Sequence, residues 1–147
     1  MSISQTTDSG SALLESSIEQ ADVWIGELAH ELGGADDSHA WDVLRAVLHA
    51  IRDGLSVEQA AAFGEALPML IRGLYYEDWK PARTPLELRD LDAFLARVAL
   101  NAQLESEAVA SAAVAGVVRV LLRHTSASLE EGTLSILPES LAFLLEL

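Results

Sequence analysis

Cysteine is absent from the 147-residue chain, and with it go disulfides, thiolate metal sites, iron–sulfur ligation and any cysteine nucleophile. A chain of this length buries about 70% of the surface its unfolded form exposes and needs no such staple. The cysteine-free composition points to a cytoplasmic address. Basic residues are scarce too: nine Lys+Arg stand against 23 Asp+Glu, for a formal net charge of -14. Binding a polyanion by neutralising its phosphates needs the opposite sign, so nucleic acid is not an expected partner. No apolar run approaches the roughly 20 residues needed to span a bilayer. The opening MSISQTTDSGS has neither the basic start nor the apolar centre of a secretory signal. Neither membrane insertion nor export is expected.

Chemical signatures are missing as well. His30, His39, His49 and His124 are widely separated, and no His-Glu-x-x-His order occurs, so no metal site is assigned. Gly33-Gly34 follows a helical pattern instead of a strand, and no Gly-Lys-Ser/Thr exists to cradle a phosphate. No Gly-x-Ser-x-Gly elbow occurs; Ser38, Ser56, Ser106 and Ser128 stand where helices should start. Carboxylates are abundant, but no two share an otherwise apolar helix face. No catalytic residue and no cofactor is therefore assigned.

What the chain does have is helical period. Residues 1–11 are Ser/Thr/Gly-rich and read as a tail, because they cannot bury enough apolar surface to offset the entropy of ordering. Leu14, Ile18, Ala21, Ile25, Leu28 and Leu32 then recur at spacings of four and three, one helical stripe stopped by Gly33-Gly34. Ser38 is read as the cap of a second helix with Trp41, Leu44, Leu48 and Ile51 on one face, ended by Gly54. Ser56 and Gln59 form a capping box for a third helix, which Pro68 must kink or break. Thr84, Pro85 and Glu87 are read as the start of a fifth. A further helix runs from about Ser106 to His124, where Ala112, Ala115 and Gly116 admit a close neighbour.

The end of the chain echoes the middle. Ser128 to Glu131 is another capping box, Leu137-Pro138 mirrors Leu67-Pro68, and Ser56 to Pro68 and Ser126 to Pro138 are both twelve residues apart. The expected architecture is all-α: one bundle of seven or eight helices over residues 12–147, with a degenerate internal duplication whose halves lie at about 38–79 and 106–147.

Three blocks, WIGELAHELG from Trp24, LRAVLHAIRD from Leu44 and LPMLIRGLYYEDWKP from Leu67, resemble the prokaryotic family of domain of unknown function 2267. The resemblance covers roughly residues 15–147 and is most specific in the third block. It departs from the family pattern at Asp78, where glycine precedes the tryptophan, and in a final segment without tryptophan. What it implies is an all-helical cytoplasmic domain, with no activity to carry over.

One polar constellation stands out. Arg45, His49 and Arg52 are spaced four and three apart and share a helix face bordering Trp41 and Leu48. With Arg72, Tyr75, Tyr76, Glu77 and Trp79 they can line an aromatic-walled cleft for a small anion, Arg supplying bidentate contacts and His a tunable proton. The bland alternative is that the arginines pair with carboxylates and the aromatic residues anchor a loop. Charge is also uneven: residues 1–44 hold nine acids and no Lys or Arg, whereas residues 45–101 hold seven bases and eight acids. Two functions are thus carried forward. The first is a non-enzymatic interaction or scaffold module, homo-oligomeric or meeting a protein partner through the first helix, whose apolar face Val23 and Trp24 widen. The alternative is a small-anion binder or enzyme built on the Arg/His/Tyr cleft.

Overall fold

The computed structural model describes residues 2–86, 90–129 and 139–147. Among them are six α-helices, two 3-10 segments and no strand, so the fold is all-α. The helices are α1 (Ser2–Glu31), α2 (Asp37–Asp53), α3 (Val57–Glu65), α4 (Met69–Tyr76), α5 (Leu91–Ala102) and α6 (Glu107–Leu129). The 3-10 segments are Pro81–Arg83 and Glu139–Glu146.

The helix starts obey local chemistry. Ser56 caps α3 in a full capping box: its Oγ accepts from Gln59 N at 3.2 Å and its amide donates to Gln59 Oε1 at 3.2 Å. Ser106 Oγ likewise accepts from Val109 N at the head of α6. Pro68 lies between α3 and α4 as the extended residue before Met69, so the proline breaks the helix instead of kinking it. Gly33 and Gly34 end α1 at φ of +81° and +88°, a left-handed conformation that side chains with a Cβ resist.

Four boundary expectations change, one of them at the end of α6, which runs past His124 to Leu129 and takes in Ser128 instead of ending before it. α2 is capped by Asp36, whose carboxylate accepts from His39 N at 2.8 Å, and Ser38 lies inside the helix. Thr84 does not cap a helix; its hydroxyl donates to the Pro81 carbonyl, and α5 begins only after Asp90, which accepts from Ala93 N at 2.8 Å. Glu87 lies outside the described residues. At the other end, α1 is helical from Ser2, taking in the tract that composition assigns to a tail; Gly10 is that tract's one breaker and it contains no proline.

α2 is the central element. Val43, Val47, Leu48, Ala50 and Ile51 are fully buried, and α1, α3, α4, α5 and α6 all pack on it. Tyr75, Phe63 and Phe94 are the largest wholly enclosed side chains, each contributing roughly 1.5–3 kcal/mol through burial. α1 lies against α6 where Gly116 leaves room: a Cβ there would stand 3.2 Å from Glu31 Cβ and 3.6 Å from Leu28 Cδ1. Ionic contacts reinforce that seam, with Arg119 reaching Glu31 at 2.8 Å and Arg123 reaching Glu27 at 3.0 Å.

The α1 stripe divides in two. Ala21, Ile25 and Leu28 are buried within the fold, whereas Leu14 and Ile18 are 62% and 51% exposed, because the helix runs past the body that covers its second half. The degenerate duplication is not seen among the described residues. The first copy closes on an α-helix after Pro68, the corresponding C-terminal segment is 3-10, and the Glu131 end of the second capping box with Leu137-Pro138 lies outside the described residues. One stretch, Glu107–Thr125 of α6, is long and apolar enough to cross a membrane by length and composition, at a mean hydropathy of 1.3. Reading by uninterrupted runs misses it because polar residues punctuate it. With 56% of that stretch buried it packs as a core helix.

Candidate functional site

The site is built at the C-terminal end of α2. Arg52, only 3% exposed, makes a fork with Asp53, Nε to Oδ1 at 2.8 Å and Nη2 to Oδ2 at 3.3 Å. Its Nη1 donates to the carbonyls of Tyr75 at 2.8 Å and Glu77 at 2.7 Å. The Asp53 carbonyl in turn accepts from Leu86 N at 2.7 Å. These two adjacent residues therefore grip both ends of the loop 77–86, here termed the strap, which joins α4 towards α5. Four of five guanidinium N–H donors of Arg52 are engaged in this grip, so its role is structural even though it faces a cavity.

That cavity, about 580 Å³, lies between α2, α5 and the strap. α2 lines it with Asp42, Arg45, His49, Arg52 and Asp53; the strap supplies Asp78, Lys80 and Arg83; α5 and its end supply Arg97, Asn101 and Gln103. Five of the nine Lys and Arg residues of a chain with net charge -14 thus face one space. Arg97 Nη2 donates to Asp53 Oδ2 at 3.2 Å, so one carboxylate serves two guanidinium groups. Arg45 Nη1 bonds Asp42 at 3.2 Å, and its Nε stands 3.2 Å from Glu77 Oε1 without hydrogen-bond alignment. Among the described residues the buried Nε atoms of both Arg45 and Arg97 lack a hydrogen-bond acceptor. Lys80 and Arg83 are exposed and have no carboxylate partner among the described residues.

His49 fixes the polarity of one wall. Its Nε2 is 2.8 Å from the Leu74 carbonyl, which can only accept, so the proton of the neutral ring sits on Nε2 and Nδ1 is an acceptor. Burial disfavours the imidazolium and Arg52 adds to that; together they outweigh the Leu74 bond and the carboxylates of Asp53 and Glu77, holding the pKa below its ordinary 6.5.

The sequence-derived constellation is only half assembled here. Arg45, His49 and Arg52 share the cavity, and Glu77 stands at its edge on Arg45. Arg72 turns away: Nε donates to the Gly64 carbonyl at 3.0 Å, which also accepts from Leu67 N, and Nη2 donates to the Leu67 carbonyl at 2.8 Å, so the guanidinium caps the turn after α3. Tyr76 packs its hydroxyl over Gly64, where a Cβ would meet it at 2.5 Å, and Trp79 packs on Tyr76 with ring centroids 5.3 Å apart. Tyr75 is buried and donates to the Ala60 carbonyl at 2.7 Å; burial raises its pKa. The aromatic residues therefore anchor the strap and do not wall the cavity. Asp53, Lys80, Arg83 and Arg97 were not singled out by local spacing; that seven of the nine Lys and Arg residues fall in residues 45–101 was the one trace of the three bases in the sequence.

A second cavity of about 580 Å³ lies between α1, the Pro68 turn and α6, lined by Glu19, Val23, Trp24, Leu67, Pro68 and His124. There His124 stacks on Trp24 at 5.1 Å and bonds Glu27. Among the described residues no group of three or more His, Asp or Glu is placed to hold a metal ion.

Fold and cavity together define a small helical domain in which, among the described residues, a cleft with an excess of bases stands on an acidic chain. The chain belongs to the DUF2267 family, described as an uncharacterized conserved protein, which it matches over residues 21–144. No curated protein matches it.

Proposed function

We propose that this domain binds a small organic anion in the cavity between α2, α5 and the strap. The observation that carries the reading is the concentration of five of nine bases on one cavity of a chain with net charge -14, two of them, Lys80 and Arg83, without carboxylate partners among the described residues. Asp42, Asp53 and Asp78 also line that cavity, which leaves the five bases in excess by two, and a cleft with a net charge draws in the opposite ion. A volume of about 580 Å³ suits a metabolite-sized ligand. The reading is one of binding, in the cell interior that the cysteine-free composition favours, and no reaction is assigned to it. A thermal-shift screen with phosphates, carboxylates and nucleotides tests it, since a ligand bound only by the folded state raises the melting temperature. The expected result is a rise that Arg83→Ala abolishes without changing the ligand-free melting temperature. If no anion at millimolar concentration shifts the transition, the reading fails.

A second reading, an interaction or scaffold role through the outer half of α1, is favoured by one observation. Leu13, Leu14, Ile18 and Val23 are 48–62% exposed on one helix, and self-association or a protein partner would cover them. Light scattering should then find an oligomer that Leu14→Asp dissociates, and a strict monomer at high concentration removes this reading.

A further inference from the structure

The geometry points to a phosphate monoester of a small hydroxylated molecule, such as a sugar phosphate or a nucleoside monophosphate, as the anion that the α2–α5–strap cavity holds. This rests on the anion-binding reading and assigns the chemistry of its ligand. The first support is the direction from which the charges come. Arg97 stands on α5 and Lys80 and Arg83 on the strap, so the cations at this end converge from two walls. A tetrahedral phosphate directs its oxygens to several sides at once, whereas a carboxylate offers two oxygens in one plane.

The second support is what pairing leaves over. Asp53 is shared by Arg52 and Arg97, which leaves one guanidinium charge unmatched. Lys80 and Arg83 add two more, and Asp78 is the carboxylate that opposes them. The excess of two charges at this end complements a phosphomonoester dianion. At the other end Arg45 is outnumbered by Asp42 and Glu77, so the cavity is polarised along α2. The Arg97 side chain is 35% exposed and lines the cavity, so guanidinium donors that Asp53 does not take are open to the phosphate head.

The third support concerns the rest of the ligand. Nδ1 of His49 is an acceptor, because the Leu74 carbonyl holds the proton on Nε2. Together with Asp42 and the amides of Asn101 and Gln103 it forms a wall that receives hydroxyl donors and repels a second anionic group. Inorganic phosphate alone leaves that wall empty in a space of about 580 Å³.

Titration calorimetry on the full chain at low salt tests the assignment with a pentose phosphate, a nucleoside monophosphate, inorganic phosphate, the free pentose and succinate. At least one ester should bind about tenfold or more tighter than succinate and than the free pentose, and the two esters separate the sugar from the nucleoside. The double variant Lys80→Ala/Arg83→Ala should weaken the ester by about tenfold or more with its circular dichroism spectrum unchanged. His49→Ala should weaken the ester more than inorganic phosphate. Succinate binding as tightly as both esters, or ester binding untouched by the double variant, overturns the phosphate assignment and leaves an anion site standing. If neither variant nor any of the anions gives a heat of binding, the anion-binding reading falls with it.

Discussion

The two cavities have the same volume, about 580 Å³, and different charge. Five Lys and Arg with three Asp line the first, whereas Glu19 and His124 are the titratable residues on the second, which lies beside the α1–α6 seam. Around the α1–α6 seam the bases are matched: Arg119 and Arg123 stand on Glu27 and Glu31, and His124 bonds Glu27. Around the α2–α5–strap cavity two arginines share Asp53 while Lys80 and Arg83 lack carboxylate partners among the described residues. Volume alone would rank the two regions equally. Charge left unmatched after internal pairing is what separates the cavity proposed for a ligand from a seam that holds two helices together.

The sharpest way to test this contrast is to remove the grip that builds the basic side. Arg52→Ala leaves Asp53 to Arg97 alone and the carbonyls of Tyr75 and Glu77 unpaired in a buried setting, and should lower stability by about 2–4 kcal/mol in urea denaturation. A loss under about 1 kcal/mol would show the strap is held by something else.

Acid should affect the two sides in different windows. The depressed pKa of His49 means that the unfolded chain takes up the proton first, so its contribution is complete above 6.5 and is lost as pH falls below that value towards the folded pKa. On the other side, partial burial pushes Glu27 up but hydrogen bonds and charges from His124 and Arg123 outweigh it, while the hydrogen bond from Arg119 leads in lowering Glu31. Their contribution is complete above 4.5 and is lost only as pH falls below it. Denaturation curves against pH should show both steps, and His49→Gln should remove the upper one alone. An upper step that survives the variant belongs to another group.

Smaller effects sharpen the picture. Asp78 sits at φ 58°, the left-handed conformation that glycine adopts freely. Asp78→Gly should raise stability by up to about 1 kcal/mol and, by removing a carboxylate from the cavity, tighten anion binding as well. A weaker anion affinity in this variant would mean that Asp78 contacts the ligand. Smallest of all, Arg119→Ala on the exposed seam should cost roughly 0.2–1 kcal/mol, and that cost should shrink in high salt.

Local signals were legible where local physics decides. The Ser56–Gln59 box, the break at Pro68 and the stop at Gly33-Gly34 follow from hydrogen bonds and backbone conformations within a few residues. The cap of α2 shifted from Ser38 to Asp36 because the tract offers several competing cap residues, and the choice depends on where the helix packs. The start of α5 shifted because Thr84 and Pro85 belong to the strap that Asp53 holds through Leu86, a contact 33 residues apart that spacing does not encode.

By itself the sequence determined an all-helical domain, its family, the face shared by Arg45, His49 and Arg52, and the gathering of seven of the nine bases in residues 45–101. Each of these depends on periodicity, capping or counting along the chain. Only the tertiary structure decided that Arg72, Tyr76 and Trp79 leave the cluster and that Lys80, Arg83 and Arg97 join it. The reason is that a long, charged side chain goes to whichever acceptor the packed helices leave unpaired. For Arg72 that acceptor is the end of α3, for Arg52 and Arg97 it is Asp53, and for Lys80 and Arg83 the described residues supply no carboxylate.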